Sequence, residues 1–175
     1  RASAAEPAAA AETPRDGAGS AAWALAGRGF SVRQLIHFYS AKRIGAAATT
    51  EDVVRDIILP ETAAQQSCYM ESEFMQALGG PRRAEKLVSH AWKAKFSGTV
   101  KNILIDAACG PLDSQQKPQH IARLTQQFMT CPDADTLISE LDERMLERSY
   151  WLCIFALSEH SSSSSRSGGG DATDA

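Results

Sequence analysis

The 175-residue chain carries 18 basic and 21 acidic side chains, a formal charge of −3 with the two signs interspersed. It has no basic stripe, which argues against a nucleic-acid surface. Its longest apolar run, Trp151 to Leu157, is far too short to span a bilayer, and its length suffices for one domain with a real core.

The chain opens on Arg1 rather than methionine, which is the expectation for a fragment or processed product. Residues 1–29 read as a disordered leader, Ala-rich and broken by Pro7, Pro14, Gly17 and Gly19. Glu6, Glu12 and Asp16 do not suit a transit peptide, and no apolar signal core is present. Trp23 and Leu25 are the leader residues expected to touch the fold.

Residues 30–80 read as a helical lead-in. Ser31 and Gln34 are spaced as a capping box, with Phe30 and Leu35 at hydrophobic-staple positions. Val32, Leu35, Ile36 and Tyr39 give that helix its apolar face; Lys42, Arg43 and Gly45 mark its end, and His37 is a surface or packing residue. Thr49 or Thr50 caps a second helix, with Glu51 and Asp52 at its positive end and Val53, Val54, Ile57 and Ile58 on its apolar face. Pro60 should close it within a residue or two of Leu59. Residues 61–75 are ambiguous, and Gly79-Gly80-Pro81 is a clear break.

Residues 81–160 change to an α/β pattern. Lys86 to His90, bounded by Trp92, reads as a strand, and Tyr150 to Leu157 as a second. Between them run helix patterns on Phe96, Val100, Ile103 and Leu104 up to Gly110-Pro111, then on Ile121, Leu124, Phe128 and Met129, then on Leu137, Ile138, Leu141 and Met145. Asp133 or Asp135 supplies a cap after Pro132, and Glu140 with Arg144 is placed for an i,i+4 pair. Residues 111–148 exceed a minimal crossover, so part of this stretch reads as an insertion. Strand, helical crossover, strand predicts a parallel pair. Two strands leave unpaired edges, to be covered by a partner chain or a longer domain. The Ser- and Gly-rich residues 161–175 read as a disordered tail.

Ligands of parallel sheets sit beyond the carboxyl ends of the strands. Ser89 and His90 end the first strand; Ser158, Glu159 and His160 end the second. Ser89 and His90 are adjacent and point to opposite faces, so they do not form a simple nucleophile–base pair. With the strands as neighbours, His90 and His160 would meet beside Glu159, a set that could bind a metal or relay protons. The plainer reading is that these groups hydrogen-bond the strand-to-helix turns, and no metal is assigned. Trp92 and Trp151 read as core. Cys68, Cys109, Cys131 and Cys153 are scattered, without CxxC spacing, and read as reduced buried thiols of an intracellular, cytoplasmic protein, Cys153 as an inert mid-strand residue. No P-loop, GxGxxG, HExxH or GxSxG motif occurs.

Val88-Ser89-His90-Ala91-Trp92 with Phe96, followed by Tyr150-Trp151-Leu152-Cys153-Ile154-Phe155-Ala156 and His160, resembles a module of algal and protist proteins. That module, FVSHAW then WIDIFAxNQH, is similar to TIR and fungal heterokaryon-incompatibility (HET) domains. Thr49 to Val54 and Ile58 to Thr62 resemble the segment preceding it, so the likeness covers roughly residues 49 to 160. It implies an α/β, helix-rich fold: an incomplete flavodoxin-like (TIR-like) parallel sheet with a helical N-terminal lead-in. Cys153 stands where the family pattern has Asp, and Ser158-Glu159-His160 where it has Asn-Gln-His. The pattern's further strand and WCLxE segment are absent, and the catalytic glutamate of NAD-cleaving TIR enzymes lies in that part.

The function implied is an interaction module of intracellular signalling or stress response, without a cofactor. It would self-associate or dock a protein partner through a sheet edge marked by Ser89, His90, Trp92, Ser158, Glu159 and His160. The alternative is an NAD-cleaving enzyme, with Ser89, His90 and Trp92 lining the pocket and Glu159 and His160 on its far wall. There His90, Glu159 and His160 would be the catalytic candidates. A third reading is a truncated, non-functional product.

Overall fold

A computed structural model describes residues 24–109, 117–130, 133–158 and 160. The expected tail 161–175, the leader up to Trp23, Cys131 and Glu159 lie outside the described residues.

Helix α1 (Val32–Ala41) begins where the capping box sets it. Ser31 Oγ accepts the Gln34 N–H at 3.1 Å, and Gln34 Oε1 accepts the Ser31 N–H at 2.8 Å. Gln34 is buried, so its remaining polar atom also needs partners. Its Nε2 donates to the carbonyls of Leu78 at 3.2 Å and Gly80 at 2.7 Å. Gly79 and Gly80 hold φ of +99° and +70°, where glycine alone turns cheaply. The helix cap and the Gly-Gly break are therefore one device.

The buried face of α1 points into an aromatic core. Phe38 lies edge-on to Phe155 at 4.9 Å, to Tyr69 at 5.2 Å and to Phe96 at 6.2 Å between centroids. Phe155 in turn meets Phe30 edge-on at 5.1 Å. These are the tilted geometries that ring quadrupoles favour.

Thr49 caps the second helix through a reciprocal pair with Asp52, at 2.9 Å and 3.2 Å. The helix does not close at Pro60. It runs from α2 (Thr50–Val53) through a π-helical turn (Val54–Ile58) into α3 (Leu59–Thr62). The Leu59 N–H reaches back to the Val54 carbonyl, five residues away. That wider turn directly precedes the residue with no N–H to give, so the proline begins a new helical segment instead of breaking one. The ambiguous stretch after it holds a 3₁₀ turn (Tyr69–Glu71) and α4 (Glu73–Ala77), burying Tyr69, Met70 and Met75.

The sheet has three strands in the order β1 (Phe30–Ser31), β3 (Ser149–Trp151), β2 (Lys86–Leu87). β2 and β3 are parallel, Lys86 opposite Tyr150 and Leu87 opposite Trp151, as the helical crossover predicts. β1 is antiparallel to β3, so the sheet is mixed. Both expected strands are shorter than their apolar runs. After Trp151 the chain coils into α9 (Cys153–Ala156), burying Ile154, Phe155 and Ala156 in succession. A short continuous apolar run fits a buried helical turn as well as a strand, and periodicity does not separate them.

Residues 26–29, expected within the leader, are bonded into the fold. Gly29 exchanges backbone hydrogen bonds with Arg82 at 2.8 and 2.9 Å, and the Ala26 carbonyl accepts from the Ala84 N–H at 2.9 Å. A Cβ on Gly29 would lie 2.8 Å from the Ala84 Cβ and 2.9 Å from the Arg82 oxygen.

The crossover consists of α5 (Phe96–Cys109), α6 (Lys117–Thr130), α7 (Ala134–Ser139) and α8 (Glu143–Leu146). Asp133 caps α7, accepting the Thr136 N–H at 3.0 Å. The Glu140–Arg144 pair does not form, because the helix breaks between them. Glu140 instead accepts from Arg123 at 2.7 Å and Gln127 at 3.0 Å. Trp92 is 42% exposed rather than core. Of the described cysteines only Cys68 is fully buried; Cys109 and Cys153 are half-buried, and none forms a disulfide.

Gly29→Ala should cost about 1–3 kcal/mol through backbone displacement, read as a lower denaturant midpoint. Gly45→Ala is the control, since nothing lies within 4 Å of the place its methyl group would take. Equal midpoints for the two variants would show that the Gly29 approach is not tight.

Candidate functional site

β2 is the last strand on its side of the sheet. The Val88 N–H bonds the Trp151 carbonyl at 2.9 Å. Backbone groups alternate in direction along a strand, so the amide and carbonyl of Leu87 face the open side. Its side chain is 72% exposed. Helix α5 runs alongside, and two adjoining clefts of ≈ 330 and ≈ 260 Å³ share Val88, Ser89 and Asn102 as walls. The larger also takes in His90, Lys95 and Thr99; the smaller takes in Leu87, Asp106 and Tyr150.

The Ser89-His90-Ala91-Trp92 loop has a backbone task. The first N–H groups of a helix have no partner within it. Here the Trp92 carbonyl accepts from Glu51 at 3.0 Å and the Ala94 carbonyl from Thr50 at 3.1 Å, closing the start of α2. The loop's side chains are left for other contacts. His90 is half-buried, its ring 6.1 Å from that of Trp92. Its Nε2 lies 3.9 Å from Cys153 Sγ. Burial pushes the His90 pKa down, favouring the neutral ring.

His160 is elsewhere. Its Nε2 lies 2.9 Å from Thr62 Oγ1, which itself donates to the Ile58 carbonyl at 2.7 Å. Ser158 Oγ donates to the Gln66 carbonyl at 3.0 Å. Ser158 and His160 thus contact the last residue of α3 and the turn after it, while Ser89, His90 and Trp92 gather at the β2 edge. The expected meeting of His90 with His160 does not occur, because the coil of α9 takes the chain away from the strand direction after Trp151. Among the described residues no group of three His, Cys, Asp or Glu side chains could hold a metal.

Two residues here were not singled out as site residues from sequence. Cys153, expected inert, is the neighbour of His90; the parallel register carries the signal, since these residues follow the paired Tyr150 and Lys86 by similar steps. Asp106 accepts from Lys86 Nζ at 2.7 and 2.9 Å and from the Tyr150 hydroxyl at 2.6 Å, tying α5 to both strands. Its signal is an acid one turn beyond Ile103 on a helix otherwise buried there. Burial pushes the Asp106 carboxyl up, but the hydrogen bonds from Lys86 and Tyr150 outweigh it and hold the group below the usual carboxylate range. Burial, reinforced by Asp106, pushes the Tyr150 phenol up.

No family model matches the chain, and no curated protein or solved structure matches it significantly. The motif residues alone carry the resemblance.

A depressed carboxyl pKa stabilises the fold above the unfolded-state value, about 3.9, and that contribution fades as pH falls through the folded-state value. Asp106→Asn should therefore lower stability at neutral pH, by no more than about 1 kcal/mol because the side chain is 43% exposed. Denaturant midpoints of variant and parent should converge in acid. A gap that persists unchanged below about pH 2 would mean that the ionised carboxylate is not the source.

Proposed function

We propose that the chain is a TIR/HET-like interaction module that associates with a second copy, or docks a protein segment in the same manner, through the open edge of β2. The observation that carries this is Leu87: an apolar side chain 72% exposed on the terminal strand, with its backbone groups turned outward. Strand addition supplies main-chain hydrogen bonds at such an edge and takes specificity from flanking pockets. The two clefts beside β2 suit that role. Antiparallel pairing of two such edges closes on itself across a two-fold axis. Lys86 is already matched by Asp106, which removes a like-charge clash between copies.

The parallel β2–β3 pair and its helical crossover agree with a flavodoxin-like arrangement, and the antiparallel β1 departs from it. The signalling or stress context follows from the SHAW motif and its Trp151-to-Ala156 partner. A cytoplasmic setting belongs to the same proposal and follows from the cysteine pattern.

Sedimentation velocity over rising concentration tests the reading. The parent chain should associate, and Leu87→Pro should remain monomeric with a cooperative unfolding transition, because that N–H is outside the ladder. A monomeric parent chain, or association indifferent to Leu87→Pro, would overturn edge pairing between copies. Thermal unfolding with and without NAD should give the same midpoint; a rise with NAD by mass action would move the assignment to NAD cleavage.

A further inference from the structure

We propose that the cleft between the loop after β2 and the first turns of α5 binds a small organic monocarboxylate, whose charged end meets Lys95 and Thr99. The proposal goes beyond edge docking and does not depend on it. Its basis is a helix face turned to a cavity and a buried hydroxyl without a partner. Lys95, Gly98, Thr99 and Asn102 all line the larger cleft, and that spacing sets them along one face of a helix. Thr99 is 9% exposed, yet its hydroxyl makes no hydrogen bond among the described residues. A hydroxyl buried unpaired costs stability, so one in a cleft wall marks the place of an outside acceptor.

Charge and position both fit. Lys95 directly precedes α5, a helix of 14 residues, and the N-terminal end of such a helix carries partial positive charge. Among the described residues no carboxylate pairs with Lys95, and none lines this cleft. Asp106, in the smaller cleft, is engaged by Lys86 and Tyr150. Burial favours the neutral ring of His90, so Lys95 is the one charge a ligand meets. The first turn of α5 is fixed from behind. The Phe96 N–H bonds the Ala48 carbonyl at 2.9 Å, and Ser97 Oγ donates to the Ala46 carbonyl at 3.2 Å. A turn already held in place lowers the ordering cost of binding.

The cleft chooses the class of ligand. At ≈ 330 Å³ it has the size of a small-molecule site. Val88, Ala91 and Ala94 give it apolar wall for a short carbon chain. One cation balances the single charge of a carboxylate, whereas a phosphate group carries close to two at neutral pH. Gly98 keeps the space open: a Cβ there would meet nothing within 4 Å. Glycine weakens a helix relative to alanine, and no close approach requires it here, so the room it leaves belongs to the cleft.

Butyrate is the probe, titrated into the isotope-labelled full chain and followed by amide NMR shifts. It should move the amides of Lys95 to Thr99 and saturate, and butyramide, its neutral isostere, should not. Lys95→Gln should weaken butyrate about tenfold and Thr99→Val about fivefold. Thr99→Val should leave the denaturant midpoint unchanged or raised, because it removes an unpaired buried hydroxyl. Gly98→Leu should fill the cleft and abolish the saturable shifts while the midpoint holds; if it loses its fold, the other two variants decide. Shifts that never saturate, an equal response to butyramide, or an affinity untouched by Lys95→Gln and Thr99→Val would overturn the proposal. A lower midpoint for Thr99→Val would overturn it as well, since the hydroxyl would then have a partner within the fold. Inorganic phosphate binding more tightly than butyrate would refute the carboxylate assignment.

Discussion

The contact on which the rest depends is the edge-to-face packing of Phe38 on Phe155 at 4.9 Å. Phe38 belongs to α1 and Phe155 to the short turn after β3, so this contact fastens the start of the fold to its end. Phe96 and Tyr69 meet both rings, bringing in the start of α5 and the turn before α4. A sheet with strands of two or three residues has few ladder bonds of its own. Its position is set by the apolar and aromatic surface packed behind it, with hydrophobic burial as the main driving force.

Polar groups around this core are matched by devices that each serve two elements. Gln34 completes the cap of α1 and holds the Gly79-Gly80 turn. The carbonyls of Trp92 and Ala94 close α2 while their loop leaves β2 for α5. Asp106 joins α5 to Lys86 on β2 and Tyr150 on β3. β2 is held on its inner side by the β3 ladder and by Asp106, and is open on its outer side. That asymmetry is what turns a short strand into a candidate surface.

Local signals were legible in the sequence, and of the tertiary features the parallel pairing was. Ser31-x-x-Gln34 and Thr49-x-x-Asp52 place the two helix starts where backbone N–H groups need acceptors. The parallel pairing follows from the length of the connection, which no hairpin could replace. Pro60 misleads because a π-turn upstream makes its missing N–H harmless. The run after Trp151 misleads because burial on all sides erases the period that would distinguish helix from strand. β1 escaped notice because Phe30 and Ser31 already had an explanation as staple and cap. Placement followed the same rule: Ser89, His90 and Trp92 lie just beyond β2, as their place after a strand predicts, while Ser158 and His160 were carried off by α9.

The side chain at Cys153 bears on the electrostatics of this edge. A carboxylate beside His90 would favour the charged imidazolium, and both groups would then be held as ions in a half-buried place. A thiol of similar size leaves the pair neutral until a proton is transferred. Burial lowers the His90 pKa and favours the neutral ring. A carboxylate there would hold a fixed ion pair, whereas the thiol gives one only on ionisation of the sulfur. The core does not rest on this half-buried position, since Ile154 and Phe155 next in the chain carry the burial that holds α9 in place.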